Sequence, residues 1–466
     1  MESVRQLDRE TYRVIVFGDS GSKLLVAPTG RGFGLPSVQV PRWRRISPSM
    51  QVSVRDEWGQ EVICLFQPDL SFPISSGTIP NYQVMECSEP VRPRSPAEWV
   101  DASLLPEQIF VDRADQIAVE RSLAECQGYG ACVRRGPFAR LGWFDELREW
   151  VQRVIGSRRL SLAAHFSQLN AGPSFALVRF ETSGAALWFK AVGEPHLREF
   201  SITHALAELF SRFVPPILAT RPEWHGWLAS EVDGFNLSES ADLQAWVTTA
   251  TTLAKLQVQS IRQSKALIES GARDYRVPEL TKLVRPFLGA MAHLMEAQSK
   301  VPPLPLARRE VELLGDEIEW ALSRLANLGM PDALGHLDLN PGNIIVSKSE
   351  AVFLDWAEAY VGNPLFSFQY LAEHSRHTLG RDGTADSDLG KAYTGPWHTL
   401  VSPEKTRDAL ALIPMLAAFV YAVSSDAWRN KTRREDAMAA GYLRSLTRRM
   451  HREALCLRNR RTPCSS

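Results

Sequence analysis

Several things are missing from this 466-residue chain, and each absence narrows the possibilities. Lysine and arginine balance aspartate and glutamate at 53 each, so there is no global basic field of the kind that draws a protein to nucleic acid or to an anionic membrane. The first residues, Met1-Glu2-Ser3-Val4-Arg5, have no apolar stretch of signal-peptide type. The longest apolar run, Ala409 to Val423, is broken by Pro414 and is shorter than the roughly 20 residues a spanning helix needs, so a buried helix is expected there. The six cysteines, Cys64, Cys87, Cys126, Cys132, Cys456 and Cys464, include no CxxC pair, which fits reduced packing thiols in a cytoplasmic protein better than disulfides or zinc. No internal repeat or low-complexity tract is evident. Neither a nucleic-acid nor a membrane partner is expected, and the length calls for two or three domains.

What is present is concentrated in one segment. Gly335-His336-Leu337-Asp338-Leu339-Asn340-Pro341-Gly342-Asn343 leads into the β-branched run Ile344-Ile345-Val346, and Val352-Phe353-Leu354 follows, ending in Asp355-Trp356. Pro341-Gly342 predicts a tight turn, and the two apolar runs predict paired strands that place Asn343 and Asp355 at the same end. Two oxygen ligands there suit Mg²⁺, which keeps the rest of its shell for water and phosphate oxygens. Asp338, one loop earlier, is placed to accept the proton of an incoming hydroxyl. Phosphoryl transfer asks mainly for positioning and charge neutralisation, and these three side chains supply both beside Mg·ATP. His336 is expected to pack inward and bond backbone, and Trp356 to wall the site.

The spacing His336-x-Asp338-x-x-x-x-Asn343 with a downstream Leu-Asp-Trp resembles the aminoglycoside phosphotransferase and choline kinase superfamily of small-molecule kinases. Leu337 stands where that superfamily has Gly and Asn340 where His is common, and neither change removes a ligand. Protein kinases are a poorer match, since there is no Arg before Asp338 and no Asp-Phe-Gly after it. The resemblance implies an α+β, two-lobed protein-kinase-like fold over residues 160–425, with a β-rich small lobe at 161–235 and a mostly helical large lobe at 236–455. Lys190, on the apolar strand Ala186 to Val192, takes the position of the lysine that touches the nucleotide phosphates. Its partner is Glu199 or Glu208 on the next helix. The family's Arg-Glu followed by spaced leucines and Val214-Pro215 favours Glu199. Ser174 lies in the Asn170 to Ser174 turn expected to cover the phosphates, and Glu231 and Val232 in the hinge expected to pair with adenine through backbone groups.

Before this stretch, short apolar runs separated by Gly, Pro and Ser predict a strand-rich α+β module at 1–127, followed by a connector and helix at 128–160 marked by Gly128, Gly130 and Gly136-Pro137. Its order of elements is similar to the Nudix fold. Arg55-Asp56-Glu57 cannot supply that fold's metal-binding Arg-Glu-x-x-Glu-Glu set, which implies a non-catalytic module. The arginines from Arg429 onward are expected on a solvated helix face in preference to an anionic-ligand site, with a basic tail at 456–466. For the acceptor, Glu358, Glu373, Asp382, Asp386 and Asp388 are interspersed with His374, Arg376, His377 and Arg381, a mixture that does not favour a polycation over a sugar, amino alcohol or similar hydroxyl compound. A non-enzymatic nucleotide-binding scaffold is the alternative. Intact Asp338, Asn343, Asp355 and Lys190 weigh against it.

Overall fold

The structure is a computed structural model and describes residues 9–42, 44–69, 80–102, 110–128, 136–380 and 383–461. The expectations placed on Met1 to Arg5, Gly130, Cys132, Arg381, Asp382 and Cys464 lie outside those residues. The chain divides into two compact units, Met1–Phe200 with Pro216–Glu231, and Ser201–Pro215 with Val232–Ser466.

The first unit begins with strands β1 (Arg9–Gly18), β2 (Lys23–Thr29), β3 (Gly32–Gly34) and β4 (Ser37–Pro41), then helix α1 (Ile46–Trp58). Strands β5 (Ile63–Phe66), β6 (Asn81–Cys87) and β7 (Glu98–Asp101) follow, and then helices α2 (Arg113–Cys126) and α3 (Trp143–Gly156). These strands form one mixed sheet ordered β3-β2-β1-β6-β5, with β4 on β1 and β7 on β2. Val14 to Phe17 are all buried because both faces of the sheet are covered, which makes β1 a continuous apolar run where a half-exposed strand would alternate. Val14 and Val16 meet Met50, Val54 and Trp58 of α1, while Ile15 and Phe17 meet Val119, Leu147 and Val151 of α2 and α3. Helix α3 lies within the 128–160 stretch expected to hold a helix and buries Phe144, Leu147, Val151 and Ile155 on one stripe.

A second, antiparallel sheet comprises β8 (Leu162–Gly172), β9 (Phe175–Thr182), β10 (Leu187–Ala191), β11 (Ile217–Arg221) and β12 (Gly226–Ser230), ordered β11-β12-β10-β9-β8. The change of composition near residue 127 does not separate two cores: Phe166, Phe180 and Phe189 of the second sheet pack in one cluster with Ile15, Phe17 and α3. Polar pairing joins them as well. The Gln168 side chain accepts from the Cys64 N–H at 2.7 Å and donates to the Cys64 carbonyl at 2.9 Å, and the Gln168 N–H donates to the Gln51 side chain at 2.8 Å. On α1, Arg55 pairs with Glu61, Nη2 to Oε2 at 2.8 Å.

One buried acid in this unit predicts a pH effect. Glu86 on β6 is 2% exposed, its Oε1 accepts from the Gly142 N–H at 2.7 Å, and its Oε2 has no partner among the described residues. Burial, opposed by that hydrogen bond, pushes its carboxyl up from 4.5 to about 7. A carboxyl raised in the folded state is a contribution present at low pH and lost as pH rises. Stability should therefore fall between about 4.5 and about 7 and level off above that. Glu86→Gln should remove this loss, gaining on the order of 2–3 kcal/mol at pH 8 relative to the native chain. Urea denaturation at pH 5 and pH 8 tests it, and equal differences between the two proteins at both pH values would refute it.

Helix α4 (Arg198–Leu209) contributes its first residues to the first unit and the rest to the second. The second unit continues with β13 (Phe235–Asn236), α5 (Leu243–Ser260), α6 (Ser264–Glu269), β14 (Arg273–Tyr275), α7 (Val277–Glu296) and α8 (Arg308–Leu328). Strands β15 (Ala333–His336), β16 (Ile344–Val346), β17 (Ala351–Phe353) and β18 (Ala359–Gly362) come next. Helices α9 (Leu365–Leu379), α10 (Gly383–Thr394), α11 (Pro403–Ser424), α12 (Lys431–Glu435) and α13 (Ala437–Arg461) complete it. Two small sheets, β13-β16-β17 and β14-β18-β15, sit on a helical core that includes Trp246, Phe287, Ile318, Leu322, Ile413 and Phe419. Helix α11 is long and apolar enough to cross a membrane by composition alone, and 61% of its apolar window is buried inside the protein.

The arginines of the C-terminal end lie on an exposed helix face as expected, Arg452, Arg460 and Arg461 among them, but the helix runs on into the stretch expected as a tail. Helix α13 continues to Arg461, burying Leu443, Met450, Ala454 and Leu457. Arg449 pairs with Glu373, and Arg458 and Arg461 both pair with Glu317 of α8. Long guanidinium side chains lie along the helix surface to reach carboxylates on neighbouring helices, a pairing that charge counts along the chain do not reveal. Cys64, Cys87 and Cys126 are buried and Cys456 is exposed.

Candidate active site

The segment 335–356 folds as a strand, a turn and a hairpin, and tight local packing explains why. Gly335 on β15 lies against the Tyr360 ring of β18, so that a Cβ there would come within 2.0 Å of the ring. His336 is fully buried; its Nδ1 accepts from the Asp338 N–H at 3.1 Å and its Nε2–H donates to the Leu354 carbonyl at 2.9 Å. The ring thus ties the Asp338 loop to the end of the second hairpin strand. It also packs at a tilt against Trp356, 4.8 Å between centroids. Trp356 is only 2% exposed and donates to the Phe353 carbonyl at 3.1 Å, so it is core and not the wall of an open site. Strands β16 and β17 pair Ile344 with Phe353 and Val346 with Ala351, and the Leu354 N–H continues the ladder to the Asn343 carbonyl at 2.8 Å. Asn343 and Asp355 are accordingly at the same end of the hairpin.

Asp338 is half-buried and held by two amides. Asn340 Nδ2 donates to Oδ1 at 3.0 Å and Asn343 Nδ2 to Oδ2 at 3.1 Å, with a further bond from Asn343 Nδ2 to the Asp338 carbonyl at 2.9 Å. Asn340 also accepts from the Gly342 N–H at 2.9 Å, capping the turn over Pro341–Asn343. Sequence reasoning gave Asn340 no role, although an Asn before Pro-Gly is itself a turn-capping signal. With its nitrogen engaged by Asp338, Asn343 has Oδ1 left as a ligand atom. Asp355 adopts the left-handed conformation, φ 60° and ψ 65°, at the head of the Trp356–Glu358 turn. Such backbone is tolerated by Asp and Asn better than by other residues with a Cβ, at a cost of about 1–3 kcal/mol that the surrounding structure must offset.

In the first unit, Lys190 on β10 reaches Glu199 of α4, Nζ to Oε1 at 2.5 Å. Glu199 is 2% exposed, whereas Glu208 is exposed and lies 3.3 Å from His204, so the pairing of Lys190 falls to the first of the two acids. Strand β8 runs on to Gly172, leaving Pro173-Ser174 as the turn. That turn is held on two sides. The Phe138 N–H donates to the Pro173 carbonyl at 3.0 Å, and Gly193 packs so closely on Ser174 that a Cβ would lie 2.5 Å from the serine Cβ. Neither contact was legible beforehand. The Glu231 carboxylate takes Arg179 Nε at 2.7 Å and Trp188 Nε1 at 3.2 Å, and Arg179 holds its carboxyl below the usual range. Its N–H donates to the Ala186 carbonyl at 2.9 Å, so the N–H and the side chain of Glu231 both serve the sheet. Val232, the first residue of the second unit's main segment, is half-buried. Asp338, Asn343 and Asp355 are thus gathered in one unit, and Lys190, Glu199 and Ser174 belong to the other.

Residues 197–401 match the phosphotransferase enzyme family, APH. The matched stretch includes Glu199, Glu231, Val232, Asp338, Asn343 and Asp355, while Lys190 and Ser174 precede it. The fold is α+β, and a strand-rich region precedes the APH segment. Similar solved structures include a macrolide 2′-phosphotransferase from Brachybacterium faecium, 16% identical over 63% of this chain and 97% of that one, with a TM-score of 0.44. A choline kinase from Streptococcus pneumoniae is 16% identical over 67% of this chain and 99% of its own, with a TM-score of 0.43. An ethanolamine kinase from Plasmodium vivax is 14% identical over 72% and 92%, with a TM-score of 0.45. No curated protein matches this chain in sequence.

Proposed function

We propose that this protein is an ATP-dependent phosphotransferase that moves the γ-phosphoryl group to a hydroxyl of a small molecule. The observation that carries the reading is the Asp338 carboxylate, oriented by Asn340 and Asn343 at the end of the hairpin that also presents Asp355. Asp338 would orient the acceptor hydroxyl and take its proton. Asn343 Oδ1 and the Asp355 carboxylate form an oxygen-only donor set of the kind Mg²⁺ prefers, and the metal, when bound with ATP, would neutralise charge on the phosphates. Lys190, kept in place by Glu199, would contact the α and β phosphates, with Ser174 in the turn above them and Glu231 and Val232 at the adenine through backbone groups.

On this reading residues 161–235 hold the nucleotide and 236–455 the acceptor. The strands at 1–127, similar in order to a Nudix module without its metal set, serve as a non-catalytic support, and the protein works in the cytoplasm without nucleic-acid or membrane partners. The test is transfer of labelled γ-phosphate from ATP into pools of cytoplasmic metabolites and aminoglycosides. A labelled product that disappears with Asp338→Asn supports the reading. Mg·ATP binding with no labelled product in broad pools would favour the nucleotide-binding scaffold.

A further inference from the structure

Beside the Asp338 loop the second unit contains a chamber of about 300 Å³, bordered by Leu337 and walled by α9, α11 and α13. Its wall carries Tyr370, Tyr421 and Tyr442 in sequence, with centroids 5.8 Å and 6.3 Å apart. Tyr442 is 47% exposed, so this aromatic wall opens to solvent. Its charges are Glu373, Arg449 and Arg452. Glu373 is already neutralised by Arg449 and further bonded by Gln369 Nε2 at 2.7 Å. Arg452 is exposed and has no partner among the described residues, so it is the uncommitted charge of the chamber's lining.

Of the acids that composition alone left available to a cationic acceptor, those among the described residues are likewise paired, Asp388 with Lys391 at 3.5 Å. Asp386 pairs with Arg376 at 2.9 Å and Glu358 with Arg273 at 2.8 Å. Glu453 lines only the outer, adjoining space. Tyrosine faces alone would accept a cation, but the unpaired Arg452 guanidinium in the same wall opposes one. We infer that this chamber binds an anionic alcohol, a hydroxyl compound whose flat or apolar body lies on the tyrosines and whose carboxylate or phosphate is met by Arg452. Calling that ligand the acceptor rests on the phosphotransferase reading; the chemistry of the chamber does not.

Three probes with one ring and one hydroxyl separate the possibilities: 4-(hydroxymethyl)benzoate, the neutral 4-methylbenzyl alcohol and the cationic 4-(aminomethyl)benzyl alcohol. Their binding to the full chain is measured by calorimetry without nucleotide, and their phosphorylation with labelled ATP. The acid should bind about tenfold more tightly than the amine, as one charge-assisted contact would provide. Arg452→Glu, a change at an exposed position, should reverse that order without altering Mg·ATP binding. Equal or tighter binding of the amine, no binding of any probe, or an order unchanged by Arg452→Glu would overturn the inference. Preference for the acid in a protein that also gives no labelled product in the broad pools would retire the kinase reading and leave the chamber's chemistry standing.

Discussion

Asp338→Asn is expected to lower kcat by about 10²–10⁴-fold, the usual contribution of a positioned acid or base, while the affinity for Mg·ATP changes little. The substitution is close to isosteric, but its new NH₂ group faces either Asn340 Nδ2 or Asn343 Nδ2, both already donors to the carboxylate. Some loss could therefore come from disturbed geometry and not from the missing base. Asn340→Ala separates the two, since it removes one support and leaves the carboxylate. It should cost about tenfold or less, in keeping with one lost hydrogen bond of roughly 1 kcal/mol. Single-turnover transfer rates, read beside nucleotide affinity by calorimetry, measure both effects. Full turnover by Asp338→Asn would remove Asp338 from the mechanism.

The second large effect is expected at Asp355. Asp355→Asn suits the test because Asn also tolerates the left-handed backbone found there, so the fold should survive while the ligand loses its charge. The apparent affinity for Mg·ATP should fall by about 10–100-fold, with activity partly restored at high metal concentration or by Mn²⁺, which binds such sites more tightly than Mg²⁺. Asp355→Ala should show the same loss and additional destabilisation of about 1 kcal/mol from backbone strain, seen by denaturation. Unchanged dependence on metal concentration in both variants would exclude Asp355 as a ligand.

The sequence by itself determined the local structure around these residues. Asp338, Asn343 and Asp355 lie within one loop-strand-turn-strand segment, where two short apolar runs follow a Pro-Gly turn and pair with each other, so adjacency in sequence becomes adjacency in space. Lys190 was legible on its strand and α3 on its apolar stripe for the same reason. Tertiary structure decided what depends on contacts between distant segments. Glu199 and Glu208 lie on one helix, and only its docking shows which is buried against Lys190. Trp356 proved to be core because His336 packs on it, and the arginines of α13 found acids on α8 and α9. The single core shared by the first strands and the second sheet arises because α3 has apolar neighbours on both, a choice composition leaves open. The tyrosine chamber is the clearest case: Tyr370, Tyr421 and Tyr442 come from α9, α11 and α13, and its charge depends on which arginines are already paired, something that only packing can decide.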